Sequence, residues 1–345
     1  TITSETEQKI KTKIEKNSTP LKDWEIELKY GIKTGLNDAF IIDEEKLKEL
    51  ITEDAKSVEL FEPLVRGRDV DRYTIDYKNL YLINSHNGYK DSERIDIDNY
   101  PAIKRHLDQY EPQLTKRGDK GKTAHNLRNC AYVDDFKRDK IIWKEMSAKT
   151  PFVLDKDNYY TNDTITFIVG NNLEYLLTLL NSRLFFYIYS NYYSGGGLGS
   201  KGIRFKKDFL SNVPLRKLEE EQQQPFVEKA TRILKLSDDF KRKVSNYTKY
   251  LQSQFGIEKF SKKLQNWHEL EFGAFIKELN KTIKLRDLTP LDKLQEMEWM
   301  EVFETKKAEA QTLKAQIDKT DKEIDNMVYE LYNLTDEEIA IVENS

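Results

Sequence analysis

Two rhythms of apolar positions divide the chain. Between about residues 24 and 215, short apolar or alternating runs at 24–30, 39–42, 80–84, 140–144 and 164–169 predict strands. Helical spacing predicts helices between them at 43–51, 100–114 and 173–190, and a polar helix over residues 5–16. Asn171 and Asn172 precede Leu173 as an N-cap, with Glu174 in the first turn to complement the helix dipole. Strands and helices without regular βαβ alternation make this region α+β.

After Pro214 the rhythm is almost purely helical. Phe226, Ala230, Ile233, Ser237, Phe240, Val244, Tyr247 and Leu251 step by 4 and 3, the a/d seam of a coiled coil. A second seam runs through Leu313, Ile317, Ile324, Val328 and Leu331, with Asp321 as a polar interruption. Between them lie Gly256, a helical segment at 267–281, and Pro290, which opens the last long helix. Two long helices separated by a reversal predict an antiparallel, coiled-coil-like pair, in which Ser237 meets Asp321. Thr335 followed by Glu338 is a capping box for a short last helix.

Charged residues make up 34% of the 345 residues and aromatic ones 11%, the profile of a folded, polar-surfaced protein. The single Cys130 excludes an internal disulfide and argues for a reducing, cytoplasmic setting. Four histidines without i, i+4 spacing and one cysteine leave no Cys/His metal site. No apolar run is long enough to span a bilayer, so no membrane partner is expected. A chain that opens on Thr1 reads as a fragment of something longer. Net charge is −4, but it is unevenly spread. Residues 1–100 carry −6, residues 101–217 carry +8, and residues 218–345 carry −6. A basic middle third between acidic flanks is the footprint of a face that meets a polyanion, although lysine-rich solvated loops leave the same trace.

Catalytic motifs are missing. None of the eight prolines follows the Asn/Asp/Ser-Pro-Pro-aromatic pattern that holds the exocyclic amine of a flipped base. No strand leads into Gly-x-Gly, and no P-loop occurs. Glu27-Leu28-Lys29 with Asp23 matches a nuclease triplet only formally, since a chain this rich in Glu and Lys produces such triplets by chance. Catalytic and metal-binding residues are therefore expected to be none.

Ordered motifs carry more. Gly31-Ile32-Lys33-Thr34-Gly35 is a glycine-punctuated turn before an apolar strand. It is followed by Leu64-Val65-Arg66-Gly67-Arg68-Asp69-Val70, Tyr81-Leu82-Ile83, Tyr100-Pro101-Ala102-Ile103 and Leu127-Arg128-Asn129-Cys130-Ala131-Tyr132. Lys140-Ile141-Ile142-Trp143, Leu179-Leu180-Asn181-Ser182-Arg183-Leu184 and Val213-Pro214-Leu215 close the series. In this order the set, roughly residues 20–345, resembles the TaqI-like C-terminal specificity domain of type IIG restriction–modification enzymes and adenine-specific DNA methyltransferases. The resemblance implies sequence-specific reading of double-stranded DNA. It also implies methyltransferase and nuclease domains outside this chain, in cis or as a separate subunit. Those would use S-adenosylmethionine and Mg²⁺, so no cofactor is expected in these residues. The alternative is a stand-alone specificity subunit or regulator that acts through protein contacts of its coiled coil.

Three pieces follow: a linker helix at 1–19, a target-recognition domain at 20–217 and a helical spacer at 218–345. Candidate DNA contacts lie in two glycine-bearing basic loops, which can approach phosphates closely while Arg and Asn read base edges. The first supplies Lys116, Arg117, Lys120, Lys122, His125, Asn126 and Arg128; the second supplies Lys201, Arg204, Lys206 and Lys207. Lys33, in the glycine turn, joins them. The second loop can equally be a surface linker. Arg66, Arg68 and Arg72 form a third cluster that can equally be an internal ion-pair network with Asp69 and Asp71. Trp24, Trp143 and the tyrosines of 187–193 are expected in the core.

Overall fold

A computed structural model describes residues 5–195, 202–286 and 288–344. It is α+β, with long C-terminal helices. The chain forms two compact units: residues 1–230 with 325–345, and residues 231–324. The segment after residue 217 thus contributes to both.

The first unit opens with α1 (Glu5–Lys16), then β1 (Ile26–Tyr30), β2 (Ile41–Asp43), α2 (Glu44–Glu53), β3 (Phe61–Val65) and β4 (Leu80–Ile83). It continues with α3 (Pro101–Asp108), β5 (Lys140–Lys144), β6 (Val153–Asp155), β7 (Tyr160–Thr161), β8 (Ile165–Gly170), α4 (Leu173–Asn181) and α5 (Arg183–Ile188). One antiparallel sheet runs β6-β5-β8-β1. A second runs β7-β3-β4-β2, with only the β7–β3 pair parallel. β8 is hydrogen-bonded on both edges, and Ile165, Phe167, Ile168 and Val169 are buried. That is why it reads as an unbroken apolar run rather than an alternation.

Several expected elements shift. The strand expected at 39–42 is a helical turn, Asn37–Phe40, followed by β2. The helix expected at 100–114 stops at Asp108, and a short helix, Gln113–Lys116, resumes just past Pro112, whose ring has no N–H to continue the ladder. The helix expected at 173–190 breaks at Ser182, whose hydroxyl accepts the Phe185 N–H at 3.1 Å and caps α5. Asn172 does occupy the N-cap position of α4, but with φ +58° and no side-chain cap bond. Trp143 is fully buried and donates its indole N–H to the Phe205 carbonyl at 2.8 Å.

Two long helices follow, α6 (Glu220–Phe255) and, after α7 (Phe272–Lys284), α8 (Lys293–Leu331); α9 (Asp336–Glu343) ends the chain. Within the second unit, Tyr247, Trp267, Phe275 and Phe303 centre an aromatic core, the Phe275 and Phe303 rings stacking at 4.4 Å. Lys243 pairs with Glu309, and Tyr250 and Phe255 both meet Trp299, so α6 and α8 run antiparallel. Extending that register puts Ser237 level with about residue 315, more than a turn from Asp321. The buried polar position in the second seam is Thr320, which satisfies its hydroxyl on the Gln316 carbonyl; Asp321 is only half-buried. In the first unit, the capping box of α9 forms as expected, and Glu338 also takes the Lys13 ammonium at 2.6 Å.

The costliest polar element of the sheet is a fully buried ion pair. Lys140 and Asp155 face each other across β5 and β6 at 2.7 Å, and Lys140 also donates to the Phe136 carbonyl at 2.7 Å. Burial pushes the ammonium pKa down and the carboxyl pKa up, and their mutual attraction opposes both shifts. Lys140→Ala is expected to cost about 3–5 kcal/mol because it strands a buried carboxylate. The K140M/D155L double variant is expected to lose much less; urea unfolding of both measures the difference.

Candidate nucleic-acid interface

The glycine turn exists because the backbone comes too close for any side chain. A Cβ on Gly31 would lie 1.9 Å from the Asn162 carbonyl oxygen. The Gly31 N–H donates to Ile165 O at 2.8 Å and the Ile32 N–H to Thr161 O at 2.6 Å. Gly67 presses on the same segment, donating to the Thr164 hydroxyl at 2.9 Å, with its would-be Cβ 2.9 Å from that oxygen. Two of the sequence motifs therefore converge on residues 161–165. Gly35, at φ +69°, then turns the chain so that its backbone lies against Asp119.

The first basic loop is organised from inside. Arg117 is buried, and its guanidinium donates to the carbonyls of Thr34, Asp119, Ala124 and Asn126 while lying 4.4 Å over the Phe40 ring. Asn126 is fully buried, donating to Ile95 O at 2.9 Å and accepting from Thr123 and Arg94. Neither can reach a base edge; both hold the loop's shape. His125 is tied to Asp108 at 2.6 Å. Lys116, Lys120 and Lys122 are exposed, the Lys120 ammonium resting on the Thr115 carbonyl. Arg128 and Lys33 each bind Asp119 at 3.0 Å, and their hydrogen bonds hold the Asp119 carboxyl below the usual range, Lys33 contributing most.

Lys33 and Arg128 line a cavity of about 360 Å³ between residues 30–33 and 127–132. Asp163 separates it from an open groove of about 640 Å³ lined by Arg66, Arg68, Lys144 and Met146. Arg66 is held by Asp69 at 2.9 and 3.1 Å, and Arg72 donates to Thr150 and Asn181, so of that cluster only Arg68 is exposed. Arg204 sits opposite Met146 in a short ladder, 4.0 Å from Glu145. Lys206 lies over Phe209, and Lys207 lies 4.9 Å over the ring of Tyr30, which also lines the first cavity. Lys201 falls outside the described residues. One surface at the end of the β5-β8-β1 strands thus collects Lys33, Arg68, Arg128, Lys144, Arg204 and Lys207. Among the described residues no group of His, Cys, Asp and Glu is placed to hold a metal ion, and no helix is long and apolar enough to cross a membrane.

The family model of the TaqI-like C-terminal specificity domain matches residues 62–215. The resemblance read from the ordered motifs is to this family. The match is narrower than the 20–345 span of those motifs. Residues 219–328 match a separate model, a domain of unknown function (DUF8810). Among solved structures, the chain is similar to the type IIL restriction–modification enzyme MmeI in complex with DNA, at 16% identity and TM-score 0.47, over 84% of this chain and 36% of that one. The type IIG restriction endonuclease BpuSI is similar at 14% identity and TM-score 0.42, over 66% of this chain and 27% of that one. The chain thus spans about a third of the length of these enzymes. No curated protein matches.

The TaqI-like segment contains most of the basic surface, but Tyr30 and Lys33 enter it from β1 and the glycine turn before the matched residues. Sequence reading left Arg68 open between a contact cluster and an internal network, and it missed Lys144 and the exposure of Tyr30 and Met146. Tyr30 ends a strand and Met146 follows one, and neither residue type nor spacing marks such a position as exposed. Arg117→Ala is expected to destabilise the chain by about 1–3 kcal/mol by stranding carbonyls, and Arg117→Lys to rescue little, because one ammonium lacks the planar fork. Urea unfolding and amide exchange over 118–128 measure this. An unchanged stability with altered DNA sequence preference would return Arg117 to the base-reading set.

Proposed function

We propose that residues 20–217 are the DNA target-recognition domain of a restriction–modification enzyme, with 218–345 as its helical spacer. The observation that carries this reading is the specificity-domain match over residues 62–215. The basic surface built around the exposed Lys33, Arg68, Arg128 and Arg204, with the half-buried Lys207, supports it, since clustered accessible cations are what a phosphate backbone rewards. Lys116, Lys120, Lys122, Lys201 and Lys206 would add backbone contacts around it. Arg128 would read a base edge: it lines the cavity, and its half-exposed bond to Asp119 can be exchanged for a stronger partner. His125 would support the loop through Asp108. The parent enzyme would be of type IIG, methylating adenine at N6 with S-adenosylmethionine and cleaving with Mg²⁺. Both catalytic domains would lie outside these residues.

A second reading, a separate specificity subunit that works through protein contacts of the helical unit, draws on one observation. Leu285, Leu294 and Met297 are 77%, 69% and 68% exposed there. Co-purification with a separately encoded methyltransferase favours it, and methyltransferase motifs on the same polypeptide exclude it.

The chain alone is expected to bind duplex DNA with an affinity that falls as salt rises, and to turn nothing over. Removing one phosphate contact, by Arg68→Ala or Lys207→Ala, should flatten the slope of log K against log salt by about 0.9. Fluorescence anisotropy between 50 and 200 mM salt, about the range over which such contacts are lost, is the measurement. Binding indifferent to salt would sink the reading.

A further inference from the structure

We infer that Tyr30 and Met146 form an apolar wedge that reaches between base pairs and unstacks a duplex step when this surface engages DNA. The inference rests on the target-recognition reading and adds how the DNA is handled. Single exposed apolar side chains are ordinary; these two are distinguished by where they stand. Among the described residues of the first unit, the large apolar side chains left exposed are Tyr30, Val58 and Met146, and two of the three stand at one end of the same sheet, on the chain segments that flank β8. Tyr30 ends β1, and Met146 lies just beyond β5 at the same end of the sheet, since Tyr30 pairs with Thr166 and Lys144 with Ile165. Burial raises the Tyr30 phenol pKa, and the Asp208 carboxylate, then Glu145 next to Met146, add to the rise.

Their neighbours include four cations, with the Glu145 and Asp208 carboxylates among them. Lys207 lies over the Tyr30 ring, Arg204 is opposite Met146, and Arg68 and Lys144 share the groove that Met146 lines. An apolar protein partner seated on Tyr30 and Met146 would have to desolvate those cations, a cost without return. A duplex neutralises them with phosphate and offers base faces to the two apolar groups. Apolar residues flanked by phosphate-binding cations are the arrangement that lets binding energy offset unstacking. The platform is also fixed: the Tyr30 carbonyl accepts from the Tyr132 hydroxyl at 3.1 Å, and the backbone beside it is clamped at Gly31. Tyr30 is therefore the rigid part and Met146 the adaptable part of the wedge.

The test needs no knowledge of the recognised sequence. Two labelled duplexes of one arbitrary sequence are compared by anisotropy, one fully paired and one with a central mismatch that is already partly unstacked. The unmodified chain is expected to bind the mismatched duplex about fivefold or more tightly, because part of the unstacking cost is removed. The Y30A/M146A double variant should bind both duplexes equally, with the salt slope unchanged, as neither side chain is charged. Arg68→Ala should keep the preference and lose slope. Y30A and M146A singly, with thermal unfolding of each, guard against a folding defect. Equal binding of both duplexes by the unmodified chain, or a preference retained in the double variant, overturns the wedge, leaves DNA recognition standing, and points the apolar pair toward a protein surface. Binding to neither duplex overturns the recognition reading and the wedge with it.

Discussion

Close backbone approach at residues 161–165 is the constraint on which the rest of the basic surface depends. β8 begins there, and the segment just before it is met from two sides by chain that must carry no side chain. Gly31 lies against the Asn162 carbonyl and Gly67 against Thr164. The same few residues pair with Ile32 and accept from it, and Asn162 also donates to the Val65 carbonyl, so the two sheets are joined at this point. An alanine at Gly31 would require a backbone displacement of more than an ångström, given the 1.9 Å approach. Everything that lines the cavity and groove, from Tyr30 and Lys33 to Arg68 and Met146, hangs from strands that this junction aligns. The glycines mark where two pieces of backbone touch, not where a ligand is cradled.

What could be read in advance follows from how each signal is written into the chain. Lys140–Lys144 and Glu5–Lys16 have the expected bounds, because an apolar run or a helical period of that length leaves little choice. The seam from Phe226 to Leu251 is legible for the same reason; Ala230, Ile233, Ser237 and Leu251 are all buried. β3 was not anticipated as a strand. Pro63 interrupts its pattern, and its place comes from pairing with β4 across a loop and with β7, which lies far away in sequence. The two-residue ladders, such as Met146–Ser147 with Ile203–Arg204, have no local signal at all.

The candidate site was less legible than the fold because sequence gives residue type but not solvent exposure. Arg117 and Asn126 have the chemistry that reads bases, and both turn inward to satisfy backbone carbonyls that a glycine-bearing loop would otherwise leave unpaired. Lys140 and Asp155 both belong to the middle third and are buried against each other, so they cancel within its +8. Arg117, buried among carbonyls, does not cancel, so its charge counts in the segment without being offered at its surface. Arg68 shows the reverse. Set between Arg66 and Asp69, it could equally belong to a contact cluster or to an internal network; the Arg66–Asp69 pair closes on itself and leaves Arg68 exposed.

Asp119 is where preorganisation and affinity oppose each other. Its carboxylate draws Lys33 and Arg128 together at the cavity, and two cations held that close would repel without it. Each is about half exposed, so neither bond adds much to stability, and their value is positional. A phosphate arriving at the same place must compete with Asp119 for both partners, which weakens indiscriminate binding. A base edge that engages Arg128 alone leaves Lys33 on Asp119 and loses only one of the two bonds. Since the carboxyl is held below its ordinary range, this restraint is in place above that range and is lost as pH falls through the depressed value and Asp119 protonates. In the proposed reading, an acidic residue inside a basic surface would lower the gain from charge alone and leave a larger share of the binding energy to groups that differ from one base pair to the next.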